Sequence, residues 1–388
     1  MTHPEAKHGR LPYLEPPPYS PIEWALAQVH GNAVINLASG SPDPRVAPIE
    51  EISRTSREIL RELEATALMY PSPGGVEPLK RSIRRWCEYL QLGRGRVTVT
   101  SGAQHAIKLI SELLLRGRKF AHEDPTFVEG MFPLLGAASA NIPIPVDSMG
   151  MDTVRLESAL RSGSRPLLVY SVPTCNNPTG VTMTLERRKH LLELADTYDF
   201  TILEDDPYRA VALSPGISLY KLRPDRVIYV GSMSKVISPG LRIGFVYSKD
   251  EELEGKLSRL AQTDFSTSTL NQYIVSRLID SGFVQGRVNM LRTHYRRKLL
   301  AMRDSLEGNG LTREASPEDG FFTLVSFSKP SLEVFKASLR RGVVFVPAEK
   351  FYYSNTKRAS RLARLSAGYP KEEDIEPAVK VIADSARL

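Results

Sequence analysis

Short apolar runs alternate with segments of helical period through the first two-thirds of the chain. Amphipathic stretches such as Val76 to Leu90 and Leu185 to Tyr198 lie between these runs. A run that is apolar on both faces predicts a strand of a parallel sheet that is covered by helices on either side. The pattern predicts an α/β protein whose large domain has a seven-stranded, mostly parallel sheet with helices on both faces. Its predicted strands are Val97–Thr100, Arg118–His122, Asn141–Pro145, Leu167–Ser171, Phe200–Leu203, Val227–Val230 and Ile243–Tyr247.

The last third of the chain has a different pattern. Residues 250–306 have helical spacing, and two strands are predicted at Phe322–Phe327 and Val343–Val346, with helices at Ser331–Arg340 and Glu372–Ala386. This arrangement indicates a smaller α+β domain, which the segment before the large domain joins. We predict an N-terminal arm over residues 1–20, a part of the small domain over 21–48, a large domain over 49–290 and a small C-terminal domain over 291–388.

Composition and charge narrow the functional classes. The 388 residues carry a formal charge of +7, but the basic residues are dispersed and form no stripe with aromatic side chains, so no nucleic-acid partner is expected. No apolar run approaches the length of a membrane span, so no membrane partner is expected either. Cys87 and Cys175 are far apart in sequence, which argues against a disulfide framework or a metal site. Met1 to Tyr19 is polar and proline-rich, and we therefore predict a cytoplasmic protein.

The segment Val230 to Phe245 carries the most informative group of polar residues. Lys235 lies in a loop between two apolar runs, where desolvation would prepare its amine to condense with an aldehyde. Ser232, Ser234 and Arg242 flank it and offer two hydroxyl donors and a bidentate cation for a phosphate. An aldehyde that bears a phosphate, such as pyridoxal 5′-phosphate, fits this combination.

Four more polar loops follow predicted strands. Because ligands of open α/β sheets collect at the carboxyl ends of the strands, we expect these loops to surround one site. Small residues before a helix present backbone N–H groups to an anion, and a carboxylate at a buried strand end requires a cation such as a pyridinium nitrogen. The four loops are Ser101-Gly102-Ala103-Gln104, Glu123–Phe127, Pro173–Gly180 with Asn177, and Glu204–Tyr208 with Asp205.

Together these motifs resemble the fold-type I pyridoxal-phosphate enzymes of the class I and II aminotransferases. The resemblance covers residues 36–369, and the motifs SGAQ, EDPTF, NNPTG, EDDPY, SMSKVISPGLRIG and RLS, which begins at Arg364, follow the order of the family. The most similar subgroup contains the aminoadipate/kynurenine and aromatic aminotransferases. The resemblance implies transamination between a small-molecule L-amino acid and a 2-oxo acid, 2-oxoglutarate first among them. The donor would have an aromatic, apolar or aminoadipate-like side chain.

The resemblance also implies a role for each matching residue. Lys235 would bind the cofactor covalently and move the proton at the substrate Cα, and Asp205 would pair with the pyridinium nitrogen. The other implied contacts are Asn177 and Tyr208 with the phenolic oxygen, Phe127 with the ring, Ser101, Gly102, Ala103, Gln104, Ser232, Ser234 and Arg242 around the phosphate, and Arg364, Gly40 and Asn177 around the substrate. Tyr70 matches a tyrosine that reaches the phosphate of the other subunit, which implies a homodimer. No metal ion is implied.

Some residues depart from the family pattern. Asp319-Gly320-Phe321 replaces a Gly-Gly-aromatic sequence, Pro347-Ala348 replaces Pro-Gly, and Cys175 replaces a bulkier residue. These differences affect the lobe over the substrate more than the cofactor site. Two alternatives stay open from the residues alone. One is a lyase, decarboxylase or synthase that uses the same cofactor, and the other is a noncatalytic cofactor-binding effector domain.

Overall fold

An eight-stranded sheet forms the centre of the molecule in a computed structural model that describes residues 19–29, 34–315, 317–354 and 356–388. The predicted N-terminal arm lies mostly outside the described residues. The strands are β1 Ile35–Asn36, β2 Arg96–Thr100, β3 Lys119–Asp124, β4 Ala140–Asp147, β5 Gly150–Met151, β6 Leu168–Ser171, β7 Thr201–Asp205, β8 Val227–Ser232, β9 Gly244–Ser248, β10 Thr312–Arg313, β11 Phe322–Ser326, β12 Val343–Val344, β13 Val346–Pro347 and β14 Leu362–Ser366.

The large sheet has the order β2-β9-β8-β7-β6-β3-β4-β5. Strands β4, β3, β6, β7 and β8 are parallel neighbours, and β9 runs antiparallel between β8 and β2. The strand β2 therefore has the same direction as the parallel strands. The carboxyl ends of β2, β3, β6, β7 and β8 consequently meet at one edge of the sheet, where the predicted site loops follow.

The helices cover this sheet by apolar stripes of helical period. In the helix Glu77–Tyr89, the buried side chains include Leu79, Ile83, Trp86 and Cys87, which repeat at the spacing of one helix face. The helices are α1 Pro21–Ala27, α2 Ile49–Leu63, α3 Glu77–Tyr89, α4 Ala103–Leu114, α5 Val128–Ala137, α6 Thr153–Arg161, α7 Leu185–Tyr198, α8 Leu219–Leu222, α9 Glu251–Leu260, α10 Thr269–Asp280, α11 Phe283–Gly308, α12 Ser331–Arg340, α13 Thr356–Ala359 and α14 Ile375–Arg387.

A second sheet, of the order β10-β11-β14-β13, is antiparallel and packs with α12 and α14 around its own apolar core. The strand β1 pairs in parallel with β12, so that Ile35 lies opposite Val343. The chain just before α2 is therefore hydrogen-bonded to the C-terminal region. The division of the chain into four segments, with its three boundaries, stays a prediction.

The fold class is confirmed, but the predicted number of strands in the large sheet is wrong. All seven predicted strands are present, and the eighth is β5, which pairs antiparallel with the end of β4. A two-residue strand after a tight turn gives no hydrophobic pattern, and this is why it was missed. The predicted strand Val343–Val346 is divided, because β12 pairs with β1 while β13 pairs with β14.

No helix in the described ranges is long and apolar enough to cross a membrane.

Candidate active site

A cavity of about 470 Å³ lies at the carboxyl edge of the large sheet. Its size is within the range of small-molecule and cofactor sites. Most of the residues predicted from the motifs line it, and so do several that were not predicted. The lining residues are Ile22, Glu23, Leu26, Ser39, Gly40, Ser41, Ala103, Gln104, Phe127, Glu129, Val172, Asn177, Asp205, Pro207, Tyr208, Ser232, Ser234, Lys235 and Arg242.

Lys235 enters the cavity from the loop between β8 and β9. Its Nζ donates a hydrogen bond to the Gly40 carbonyl at 2.8 Å and lies 5.6 Å from the centroid of the Tyr208 ring. Burial, together with the positive charge of Arg364, lowers the pKa of Lys235 to about 8. A lysine with such a pKa is partly neutral near pH 7, as a nucleophilic amine requires.

Asp205 ends β7 and faces the cavity, whereas its neighbours Glu204 and Asp206 have other partners. The Oδ2 atom of Asp205 accepts a hydrogen bond from the Tyr170 hydroxyl at 2.8 Å, and its Oδ1 atom is buried without a partner. Burial raises the pKa of Asp205 to about 7, although the Tyr170 hydrogen bond opposes this shift. A buried carboxylate with a free oxygen is suited to receive a cation or an N–H donor from a ligand.

Glu204 and Asp206 flank Asp205, and the sequence without the family pattern does not show which of the three acids faces the site. Glu204 accepts hydrogen bonds from the Ser218 hydroxyl and from the backbone N–H groups of Leu219 and Tyr220 at the start of α8. Asp206 forms an ion pair with Arg209 at 2.6 Å. Because side chains alternate along a strand, these two acids lie on the face opposite Asp205.

The predicted phosphate-binding residues lie at the other end of the cavity. Ala103 and Gln104 begin α4, whose N-terminal N–H groups favour an anion, and Ser232, Ser234 and Arg242 approach from the lysine loop. The Arg242 Nη2 atom donates to the Ser101 carbonyl at 2.8 Å. Gly102 has a φ of 81°, and a Cβ atom there would lie 2.4 Å from Arg242 Nη2, so only glycine fits. Ser101 and Gly102 thus support the loop and do not line the cavity.

Arg364 lies in the centre of β14, fully buried behind Asn177. Its Nη1 donates to Asn177 Oδ1 at 3.0 Å, its Nη2 donates to the Ala38 carbonyl, and its Nε is buried without a partner. Burial lowers the pKa of Arg364 to about 10. Since its carbonyl oxygen accepts from Arg364, the Asn177 side chain keeps its Nδ2 group for a ligand.

Phe127, Gly40 and Tyr208 complete the predicted set in this cavity. Phe127 caps α5 and is half-buried, so its ring has a free face for a ligand. Gly40 accepts the Lys235 hydrogen bond, and the Tyr208 ring is held edge-on by Phe321 and Phe322. These contacts fix the wall that faces the lysine.

Tyr70 is the one predicted site residue that the fold places elsewhere in a single chain. It is 81% exposed, its ring lies 4.9 Å from the Phe265 ring, and both line a separate surface cavity. Residues 265–268 line this second cavity as well.

Two departures from the family pattern contact each other. Gly320 has a φ of 86°, and a Cβ atom there would lie 2.6 Å from the Cβ of Cys175. The small Cys175 and the glycine therefore allow this close approach, which places Phe321 with its ring 5.7 Å from Lys235 Nζ.

Sequence reasoning missed four functional positions. Tyr170 looked like an apolar strand residue, and Glu23 lies in the segment 21–48, which was assigned to the small domain without a role for Glu23. Glu123 was quoted within a motif but given no role. It accepts hydrogen bonds from Ser171, Val172 and Asn176, and so fixes the loop that carries Asn177; burial raises its pKa to about 7. Glu129 lies two residues after Phe127 and lines the cavity.

The residues present fit pyridoxal 5′-phosphate. The unpartnered oxygen of Asp205 suits a pyridinium nitrogen, the amine of Lys235 suits its aldehyde, and the start of α4 with Arg242 suits its phosphate. Three chemical groups of one ligand thus find complementary protein groups in one cavity.

Comparisons with known proteins agree with this arrangement. The family model described as aminotransferase class I and II matches residues 32–382. The chain is 31% identical to the aromatic-amino-acid aminotransferase 1 of Thermococcus litoralis, over 95% of this chain and 91% of that protein. It is 31% identical to the 2-aminoadipate transaminase of Thermus thermophilus, over 88% of each chain. The crystal structure of the Pyrococcus horikoshii kynurenine aminotransferase superposes with a TM-score of 0.89 at 32% identity, covering 95% of each chain.

Proposed function

The chain belongs to the class I and II aminotransferases, and from this premise we propose that it transfers the amino group of an L-amino acid to a 2-oxo acid at the cavity around Lys235. The cofactor of this reaction is pyridoxal 5′-phosphate. The observation that supports the location best is the pairing, in one cavity, of a buried lysine with the unpartnered carboxylate oxygen of Asp205.

We propose donors with aromatic or apolar side chains or with a side chain like that of aminoadipate, and 2-oxoglutarate as the first acceptor to test. Ile22 and Leu26 of α1 give the cavity an apolar wall for such side chains. The relatives named for aromatic amino acids, kynurenine and 2-aminoadipate support the same range. Arg45 binds Asp43 and the carbonyls of Tyr369 and Pro370, so its guanidinium is already engaged and does not supply a second carboxylate site.

Each residue of the cavity has a separate task in this reaction. Bound in the cavity, the cofactor supplies an aldehyde for the amine and an electron-accepting ring. Asp205 would hold a cation next to its free oxygen, and Asn177 and Tyr208, which line the same cavity, would orient the ring. Lys235, whose pKa is lowered to about 8, would accept the proton that leaves the substrate Cα. It would then donate this proton to complete the transfer of the amino group.

Arg364 would hold the α-carboxylate that all donors and acceptors share. Its Nε is already without a partner, and Asn177 adjoins it, so a carboxylate can be bound from two sides. Burial strengthens this contact because water does not compete for the guanidinium.

The test is a pair of half-reactions followed by absorbance. Purified protein loaded with the cofactor is mixed with L-phenylalanine alone, and then with 2-oxoglutarate alone. We expect the aldehyde form to convert to the amine form in the first step and to be regenerated in the second. Loss of carbon dioxide or elimination without the amine form would instead identify one of the alternative reactions. No spectral change with any amino acid would indicate the effector domain.

We further propose a homodimer, as the match of Tyr70 implies. Leu68, Met69, Tyr70 and Phe265 are all more than half exposed and form an apolar surface that a second copy would cover. Light scattering at low protein concentration should give twice the monomer mass. Tyr70→Phe should weaken cofactor retention without changing that mass, because a single hydroxyl contact is lost. A fully active monomer would refute the homodimer.

We propose a cytoplasmic location because of the state of the two cysteines. Cys87 and Cys175 are both free and buried, which agrees with a reducing compartment. Fractionation of cells that express the tagged full chain tests this proposal.

A further inference from the structure

The charges along the cavity wall are unevenly distributed. Among its lining residues the cations are Lys235 and Arg242, and the carboxylates are Asp205, Glu23 and Glu129. Lys235, Asp205 and Arg242 each have a partner in the bound cofactor. Glu23 and Glu129 are left without a task in the proposed reaction.

Glu129 is the more confined of these two carboxylates. Its Oε2 atom is buried and has no hydrogen-bond partner, whereas Glu23 on α1 is exposed at the rim. Glu129 lies in the first turn of α5, where the helix dipole favours a negative charge. It lines the same cavity as Lys235 and as Asn177, the residue that binds Arg364.

A buried carboxylate oxygen without a donor costs free energy, and a ligand that supplies a donor recovers it. A ligand that brings a second carboxylate adds repulsion instead, since the cations at the wall are already used. Arg364 cannot compensate, because it is reserved for the α-carboxylate.

We infer that Glu129 is a specificity-determining residue, which favours donors whose side chain ends in a hydrogen-bond donor and disfavours donors whose side chain ends in a carboxylate. Glu23 acts in the same direction from the rim. The inference rests on the proposed transamination and ranks the substrates within it: the aminoadipate-like donors and 2-oxoglutarate come after neutral compounds of the same length.

The experiment compares two donors of nearly equal shape, 2-aminoadipate and its 6-amide, in the full-length enzyme loaded with cofactor. We expect kcat/KM to be at least about tenfold higher for the amide, mainly through KM, because like charges repel in a poorly solvated site. Glu129→Gln should reduce this ratio to near one, and Glu129→Ser should reduce it as well. Glu23→Gln should have a smaller effect, since solvent screens an exposed charge.

Glu186→Gln serves as the matched control, because Glu186 is exposed on α7 and outside the cavity lining. This variant should keep the wild-type ratio. Equal use of the acid and the amide by the wild type, or an unchanged ratio in both Glu129 variants, would overturn the inference while leaving the proposed function intact. A failure to transaminate phenylalanine or any other donor would instead overturn the proposed function.

Discussion

Three buried residues at the cavity have chemical counterparts elsewhere in the fold, and the two groups differ in how their polar atoms are satisfied. We call Lys235, Asp205 and Arg364 the cavity group. The scaffold group consists of Lys298, Asp206 and Arg188. All six residues are largely or wholly removed from solvent.

In the scaffold group, other residues of the protein bind each buried charge, either through an ion pair or through several hydrogen bonds. Lys298 binds Asp43 at 2.9 Å and the Gly368 carbonyl at 2.7 Å, and Asp206 binds Arg209 at 2.6 Å. Arg188 donates to four backbone carbonyls, those of Pro173, Met183, Pro215 and Ile217.

In the cavity group the partners are neutral and incomplete. Lys235 has the Gly40 carbonyl, Asp205 has the Tyr170 hydroxyl, and Arg364 keeps an unpartnered Nε. A buried ion without a counter-ion is costly, and a fold retains it where a ligand completes it.

One oxygen of Asp206 also lacks a hydrogen-bond partner, so an unpartnered atom does not by itself mark a functional residue. Each scaffold residue has an oppositely charged neighbour, whereas none of the three cavity residues has an ion pair with another residue that the structure describes. Burial of an ion without a counter-ion is therefore the feature that separates the two groups.

The largest effect that tests this comparison is expected at Lys235. Lys235→Ala removes both the amine and the proton carrier, and transamination should fall by about a thousandfold or more. The cofactor should still bind noncovalently, because its other contacts lie on separate loops. Absorbance and mass spectrometry after borohydride reduction measure both points. Labelling of a different lysine in the wild type would disprove the assignment.

The two adjacent acids should separate activity from stability. Asp205→Asn should reduce kcat by about a hundredfold or more, because the neutral amide no longer stabilises a cationic ring. Asp206→Asn leaves Arg209 buried without its counter-ion and should lower the free energy of unfolding by about 3 kcal/mol. Steady-state kinetics and urea unfolding of both variants are the measurements. Equal losses of activity in the two would contradict the division into groups.

The two arginines give an intermediate effect. Arg364→Lys should raise KM for all donors and acceptors together by about tenfold or more, since lysine cannot bind a carboxylate bidentately. Arg188→Lys should instead lower the free energy of unfolding by about 2 kcal/mol, because buried carbonyls lose their donors. If Arg364→Lys changed KM for one substrate only, a carboxylate contact shared by all substrates would be contradicted.

The smallest effect is expected at Tyr170, which acts through Asp205. Tyr170→Phe removes a hydrogen bond that lowers the pKa of Asp205, so this pKa should rise above about 7. An acid whose pKa is raised in the folded state stabilises the fold fully only below its unfolded pKa, and the contribution is lost as pH rises through the folded pKa. In the cofactor-free wild type, the free energy of unfolding should therefore fall between about pH 4 and about pH 7. In Tyr170→Phe this fall should extend to a higher pH.

Urea unfolding at a series of pH values measures this difference between the proteins. Glu123 also lowers the free energy of unfolding over this pH range, since its pKa is raised to about 7 as well. The Asp205→Asn variant shows the part of the pH dependence that comes from Glu123. Identical pH profiles of Tyr170→Phe and the wild type would show that the hydroxyl does not act on Asp205.

The sequence predicted that Lys235 and Asp205 lie together because parallel strands end at one edge of a sheet, whereas Arg364 was implied only by the family resemblance. That rule and the order of the strands along the chain are enough to predict that the loops with Asp205, Asn177 and Lys235 lie close together. The scaffold group was not predictable in this way. Arg188 has the appearance of a helix surface residue in sequence, and only the packing of α7 on the loop at Pro215 shows that it is buried.

Other elements were missed for local reasons. The helix α1 begins at Pro21, after a run of prolines that indicated extended chain, although Ser20 caps it with a hydrogen bond to the Glu23 N–H group. The strand β14 contains Arg364 at its centre, and a buried cation breaks the apolar pattern of a strand. The proposed role of Tyr70 depends on a second copy of the chain, and the contacts of such a copy cannot be read from a single-chain pattern.

The pairing of β1 with β12 has a consequence for the synthesis of the protein. Ile35 lies opposite Val343, so this pair cannot form until the ribosome has made Val343, about 300 residues after Ile35. Gly40, which accepts the Lys235 hydrogen bond, follows β1 directly, and Arg364 is made later still. A nascent chain can therefore fold most of the large sheet before Arg364 has left the ribosome, but it cannot complete the cavity until then. Cofactor capture should accordingly be a late event in folding.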